Sequence, residues 1–218
     1  MSTLTQIKLA LVERNLVPVA FLRHALKQNL GRWERKQSGP FPHLLKQQIM
    51  RRYAVASGAR VFIETGTYYG FMLQACLSYF DRLFSIELEP HFYRRAQRIF
   101  KRCSNVTLLH GDSAELLPEL LATIRCPCLF WLDAHYSGGL TGKADIETPI
   151  SRELETILGH TYQHTVLIDD ANCFDGTHNY PEITWIEKIA RNSGYSISSS
   201  DNIIRLSPVL ISAVRSLP

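Results

Sequence analysis

The 218-residue sequence is short of several things, and each shortage excludes something. Cysteine is scarce and odd in number: Cys76, Cys103, Cys126, Cys128 and Cys173, with no C-x-x-C pair among them. Neither a disulfide framework nor a thiolate zinc site follows from that spacing, so free thiols in a reducing compartment are expected. No apolar run reaches the roughly 20 residues that a bilayer requires. The first residues also lack the apolar core of a secretory leader. A cytoplasmic protein is the expectation, with peripheral attachment to the inner face of the membrane as an option. Repeats and low-complexity tracts are lacking as well. So is the dinucleotide fingerprint G-x-G-x-x-G: after the first apolar run the glycines stand four apart, at Gly66 and Gly70, with Tyr68 between them. A side chain there crowds a diphosphate, which needs bare backbone.

Acidic residues are nearly missing from one end. Residues 1–60 hold eleven Lys and Arg against Glu13 and Glu34, so +9, and the rest must carry −5 to reach the net +4. Such asymmetry suits an anionic partner such as a lipid surface, or simply a solvated helical face. Nucleic acid is not expected, because no basic stripe is interleaved with aromatics. Self-association is compatible with the sequence and not indicated by it.

Two helices are expected at residues 4–14 and 19–30, then a break at Ser38-Gly39-Pro40-Phe41-Pro42 and a third helix at 43–57. This makes an N-terminal helical extension, 1–58, ahead of a domain at 59–218. From Val61 onward strands and helices alternate. Strands are expected near 61–65, 82–86, 106–110, 128–133, 164–169, 195–199 and 202–207. Helices are expected near 69–79, 90–101, 113–122, 149–159 and 182–193. The alternation predicts an α/β, doubly wound, Rossmann-like sheet of seven strands with both faces covered. Only a polar turn at Ser200-Asp201 separates the last two strands, which therefore pair antiparallel.

The chain is organised around Val61-Phe62-Ile63-Glu64-Thr65-Gly66-Thr67-Tyr68-Tyr69-Gly70, a buried strand, a glycine turn and a helix start. An acidic strand end beside such a turn suits a cationic ligand that carries an adenosine, such as S-adenosylmethionine, better than an anionic one. Glu87 closes the second strand 21 residues after Gly66, where a carboxylate grips a ribose diol in these folds. Asp112 closes the third, and Ser113 is expected to cap the helix that begins there. Candidate cofactor-binding residues are thus Glu64, Gly66, Thr67, Gly70, Glu87, Asp112 and Ser113.

A second constellation lies at the ends of the fourth and fifth strands, Trp131-Leu132-Asp133-Ala134-His135 and Leu167-Ile168-Asp169-Asp170. Doubly wound order makes these strands neighbours, with their carboxyl ends on the ligand side. Three carboxylates meeting there repel one another, and a hard cation such as Mg²⁺ resolves the conflict. Asp133, Asp169 and Asp170 are therefore the expected metal ligands, provided the chain bends near Ala171-Asn172 so that both members of the Asp pair face one ion. His135, whose ordinary pKa lies near neutrality, and Asp133 are the candidate catalytic residues. His178 and Tyr180 are weaker candidates for substrate contact.

The three strand ends at Glu64, Glu87 and Asp112 resemble the cofactor side of class I S-adenosylmethionine-dependent methyltransferases. That resemblance covers about residues 58–207 and implies that Glu64, Gly66 and Gly70 face the methionine part, with Asp112 and Ser113 on the adenine edge. The Asp133 and Asp169-Asp170 pattern is similar to the Mg²⁺-dependent, macrocin-type sugar O-methyltransferases. It also looks like bacterial proteins associated with surface-polysaccharide synthesis. The resemblance implies methyl transfer to a hydroxyl of a saccharide or related metabolite. His135 stands where macrocin-type enzymes commonly carry an acidic residue, which is a departure from the pattern. An RNA or protein acceptor, and a non-catalytic scaffold in glycan assembly, are the rival readings.

Overall fold

The computed structural model describes residues 41–133 and 148–209. His135 and the helices expected at 4–14 and 19–30 lie outside the described residues. The described chain runs α1 (His43–Ser57), β1 (Val61–Thr65), α2 (Phe71–Cys76), β2 (Arg82–Glu87), α3 (Pro90–Phe100), β3 (Val106–His110), α4 (Ser113–Ala122) and β4 (Cys128–Leu132). It continues through α5 (Ile150–Leu158), β5 (Thr165–Ile168), a 3₁₀ turn (Ala171–Cys173), α6 (Ile183–Asn192), β6 (Tyr195–Ser200) and β7 (Ile203–Pro208).

The seven strands form one sheet in the order β3-β2-β1-β4-β5-β7-β6. The first five are parallel, while β7 runs antiparallel to both β5 and β6. The hairpin between β6 and β7 turns at Asp201 and Asn202, both at positive φ (54° and 57°), the mirror-image turn that matches strand twist. β1 and β4 are buried along their whole length, as a strand covered on both faces must be.

Strand parity divides the core in two. Val61, Ile63, Phe130, Leu132, Val166 and Ile168 pack beneath α4, α5 and α6. Phe62, Leu83, Leu129, Trp131 and Leu167 pack on the opposite side with Met50 and Ala54 of α1 and with residues of α2 and α3. α1 is thus part of the core, with Met50 and Ala54 packed against the sheet. Its buried face carries Lys46, Gln47, Met50 and Ala54 at i, i+3/i+4 spacing. Met50 and Ala54 lie over the strands, and Lys46 reaches the carboxyl end of β5.

Several elements end a residue or more inside their predicted limits, and in two the backbone shows why. α2 starts at Phe71, because Gly70 adopts φ 75° and caps the helix instead of joining it. β5 stops at Ile168, because Asp170 takes φ 52° and turns the chain out of the sheet. Among the described residues no helix is long and apolar enough to cross a membrane.

Candidate active site

The strand ends expected to carry the site converge at the carboxyl edge of β1, β2, β4 and β5. The turn after β1 is fixed by backbone bonds from Gly66 N–H to the Ile86 carbonyl (2.9 Å) and from Gly70 N–H to the Thr67 carbonyl (2.8 Å). A Cβ on Gly70 would lie 2.9 Å from the Phe100 ring, so that position demands glycine for space as well as for φ. Tyr68 stands in the left-handed region at φ 49°, a costly conformation for an aromatic residue. Its amide donates to Glu87 Oε2 at 2.7 Å, which holds the turn in place. The Glu89 amide donates to Glu87 Oε1 at 2.8 Å. Burial pushes the Glu87 carboxyl up to about 7, and these two amides pull against that shift.

Glu64 faces inward. Ser85 Oγ donates to its Oε1 at 2.6 Å, and Thr67 Oγ1 lies 2.5 Å from Ser85 Oγ, so three expected or neighbouring polar groups form one buried chain. Burial raises Glu64 to about 8, with Ser85 opposing. The structure therefore ties Glu64 to the turn through Ser85 rather than presenting it openly to a ligand. Asp112, not Ser113 as expected, caps α4, accepting the Ala114 amide on Oδ1 at 2.8 Å, while Ser113 is the first helical residue and is buried.

A residue the sequence did not reveal lies under Ser113. Glu153 of α5 is 1 % exposed, and among the described residues neither carboxyl oxygen has a hydrogen-bond partner of full geometry. Burial pushes it up to about 7, while the nearby Ser113 and Thr65 hydroxyls pull it down. Only the helical stripe Ile150, Glu153, Leu154, Ile157 could have flagged it, as an acid inside an apolar face. The folded state then keeps a proton that the unfolded chain has released between about pH 4.5 and 7. Stability is accordingly lost as pH rises through that window, by about 1 kcal/mol per pH unit for this group. Melting curves of wild type and Glu153→Gln from pH 5 to 8 test this: wild type is expected to decline more steeply, and parallel profiles would remove Glu153 as the titrating group.

The second constellation differs from the expected metal centre. Leu129, Trp131 and Asp133, like Leu167 and Asp169, alternate onto the α1 side of the sheet. β4 and β5 pair in register up to Leu132 and Ile168, so the two Asp residues emerge side by side. The bend required at the Asp pair is present, at Asp170 itself, one residue earlier than expected. Into that junction α1 inserts Lys46. Its Nζ lies 2.6 Å from Asp169 Oδ1, 2.7 Å from Asp169 Oδ2 and 3.4 Å from Asp170 Oδ1. Asn202 Nδ2 donates to the same Asp170 oxygen at 3.0 Å. The residues present thus do not fit a Mg²⁺ site, because an ammonium group is bonded to two of the three expected ligands. Among the described residues no group of three or more His, Cys, Asp or Glu side chains is arranged to hold a metal ion. Burial, then Asp133, push Asp169 above the ordinary carboxylate range, with Lys46 pulling it back. Burial lowers Lys46, but Asp169 and Asp170 more than offset this and leave it raised.

His43, three residues before Lys46, is another residue missed at the sequence level. Its Nε2 is buried without a hydrogen-bond partner among the described residues. Burial drops its pKa to about 4, against the pull of Asp133, so the ring is neutral. The signal for both was the polar start of the α1 stripe, which runs His43, Lys46, Gln47, Met50. Of the weaker candidates, Tyr180 packs edge-on against Phe174 at 5.2 Å, and His178 is exposed in a turn.

No protein-family model matches this chain, and no curated protein matches its sequence. Solved structures do match. A Staphylococcus aureus protein assigned as a caffeoyl-CoA O-methyltransferase aligns with a TM-score of 0.53 at 12 % identity, over 89 % of this chain and 98 % of its own. The N-methyltransferase NodS from Bradyrhizobium japonicum WM9 gives 0.51 at 17 % identity, over 75 % and 93 %. The methyltransferase domain of bacterial CtHen1 gives 0.50 at 16 % identity, over 75 % and 99 %. The chain has the methyltransferase fold. That agrees with the seven-stranded sheet and the antiparallel β7, and it leaves the acceptor open, since O- and N-methyltransferases both stand among these neighbours.

Proposed function

We propose that this protein is an S-adenosylmethionine-dependent O-methyltransferase acting on a hydroxyl of a saccharide or related small metabolite. The observation that carries the reading is Glu87, a buried acid at the end of β2 that also clamps the glycine turn after β1. In a doubly wound sheet this is the position at which a ribose diol is held. Each carboxyl oxygen accepts one backbone amide and keeps a further lone pair for a ribose hydroxyl. The turn from Gly66 to Gly70 would lie against the methionine part, and Asp112 with Ser113 against the adenine edge.

When bound, S-adenosylmethionine supplies an electrophilic methyl group to an oxygen aligned behind it. The chain's own residues have two further tasks, to orient the acceptor and to receive its proton. Asp133 lies at the end of β4, beside the strand that leads into the cofactor turn, with its amide bonded to the Thr65 carbonyl at 3.1 Å. Asp133 and His135 are the proposed proton acceptors, and neutral His43 on α1 is a third. The saccharide class rests on the pattern of Asp133, His135, Asp169 and Asp170 in the sequence. A mass-spectrometric assay with S-adenosylmethionine and a panel of sugar nucleotides and free sugars tests the reading. A product heavier by one methylene, in which the diol containing the methylated hydroxyl resists periodate cleavage, is the expected result. Methylation confined to amines or to RNA would overturn the hydroxyl assignment.

A further inference from the structure

We propose that Lys46 is the resident cation of the acceptor-side carboxylates and stands where a divalent ion would otherwise sit. The inference rests on the reading of the β4 and β5 ends as the acceptor side. Its own support is geometric. Two carboxylates that follow one another in sequence are turned toward a common point by the left-handed Asp170, which is the bend that a shared ion would require. At that point lies Lys46 Nζ, in contact with both oxygens of Asp169 and with one of Asp170. The three ammonium protons are matched by three carboxylate oxygens. Lys46 is buried, and it stands on a helix whose next turns are locked into the core by Met50 and Ala54. The cation is therefore built into the fold and does not exchange with solvent ions. Its task is positioning: it fixes Asp169 and Asp170, and it lets them lie beside Asp133 without a bound metal.

Two consequences follow for the same carboxylates. The native chain should take up no divalent ion there, and removing the ammonium should create a site that does. Manganese is a suitable probe, because binding quenches the electron paramagnetic resonance signal of the free ion. With EDTA-stripped wild type at about 0.1 mM Mn²⁺, the free-ion signal is expected to stay at its buffer value. With Lys46→Ala, about one equivalent should disappear, and Lys46→Ala combined with Asp169→Asn should lose that binding again. Lys46→Arg should behave as wild type, since it restores the charge.

One equivalent of Mn²⁺ bound by wild type and lost in Asp169→Asn would overturn the proposal. So would an absence of binding in both wild type and Lys46→Ala, because the carboxylates would then not form a cation site at all. Should Lys46→Ala prove poorly folded, Lys46→Gln serves in its place, and the wild-type measurement stands by itself. Titration of the same samples with S-adenosylmethionine separates this inference from the functional reading. Failure of wild type to bind the cofactor would sink the proposed function and leave the Mn²⁺ result to decide the role of Lys46.

Discussion

Replacing Glu87 with Ala should weaken S-adenosylmethionine binding by roughly a hundredfold or more, about 3 kcal/mol at the least. Hydrogen bonds to a charged group contribute about 1.5–3 kcal/mol each, and a ribose diol offers two. The substitution also leaves the amides of Tyr68 and Glu89 without their acceptors, so the turn after β1 loses its clamp. Glu87→Gln separates the two effects. It keeps the size of the side chain and one acceptor oxygen, and should cost less stability than Glu87→Ala while still reducing affinity about tenfold or more. The wild type should itself bind more weakly as pH falls from 8 to 6. Burial places the Glu87 carboxyl near 7, and donors from a ribose favour the ionised form. Calorimetry on folded variants with unchanged affinity would remove Glu87 from the site.

The second large effect concerns stability. Lys46→Met should destabilise the fold by about 3–5 kcal/mol, because it strands Asp169 without its counter-charge. The Asp169 side chain is only 3 % exposed, so water cannot take over the role of the ammonium. For a chain of this size that corresponds to a fall in melting temperature of roughly 6–20 °C. Lys46→Met combined with Asp169→Leu should recover much of the loss, since both ends of the pair become apolar together. A single-variant cost below about 1 kcal/mol would mean that the pair behaves like a surface ion pair. Chemical denaturation of wild type, both single variants and the double variant gives the coupling directly.

The legible part of this structure was the part written in local periodicity. β1, β3 and α4 have the limits that their apolar runs predict, and the three acidic strand ends emerge where the strand pattern places them. Errors gathered where one residue overrides a run. Gly70 shortens α2, and Asp170 shortens β5, because a positive φ ends an element whatever the hydrophobic pattern says. That the ends of β4 and β5 bring Asp133 and Asp169 side by side was legible from the strand order, but the counter-ion was not. Lys46 lies 123 residues before Asp169 in sequence, on a helix whose stripe is half polar. Nothing local distinguishes a buried lysine in such a stripe from one facing solvent. Glu153 escaped notice for the same reason, since an isolated acid at a core-facing helical position has no partner in the sequence to announce it. The sequence therefore suggested a metal where the fold supplies an ammonium group.

A nucleoside ligand at the β1 and β2 ends is the central claim. A crystal structure of the EDTA-treated protein grown with S-adenosylhomocysteine tests it most directly. The predicted result is one nucleoside per chain, its ribose hydroxyls within hydrogen-bond distance of Glu87, its adenine beside Asp112 and Ser113, and Lys46 still bonded to Asp169. A nucleoside bound elsewhere, or an empty turn between Gly66 and Gly70 at saturating ligand, would contradict it.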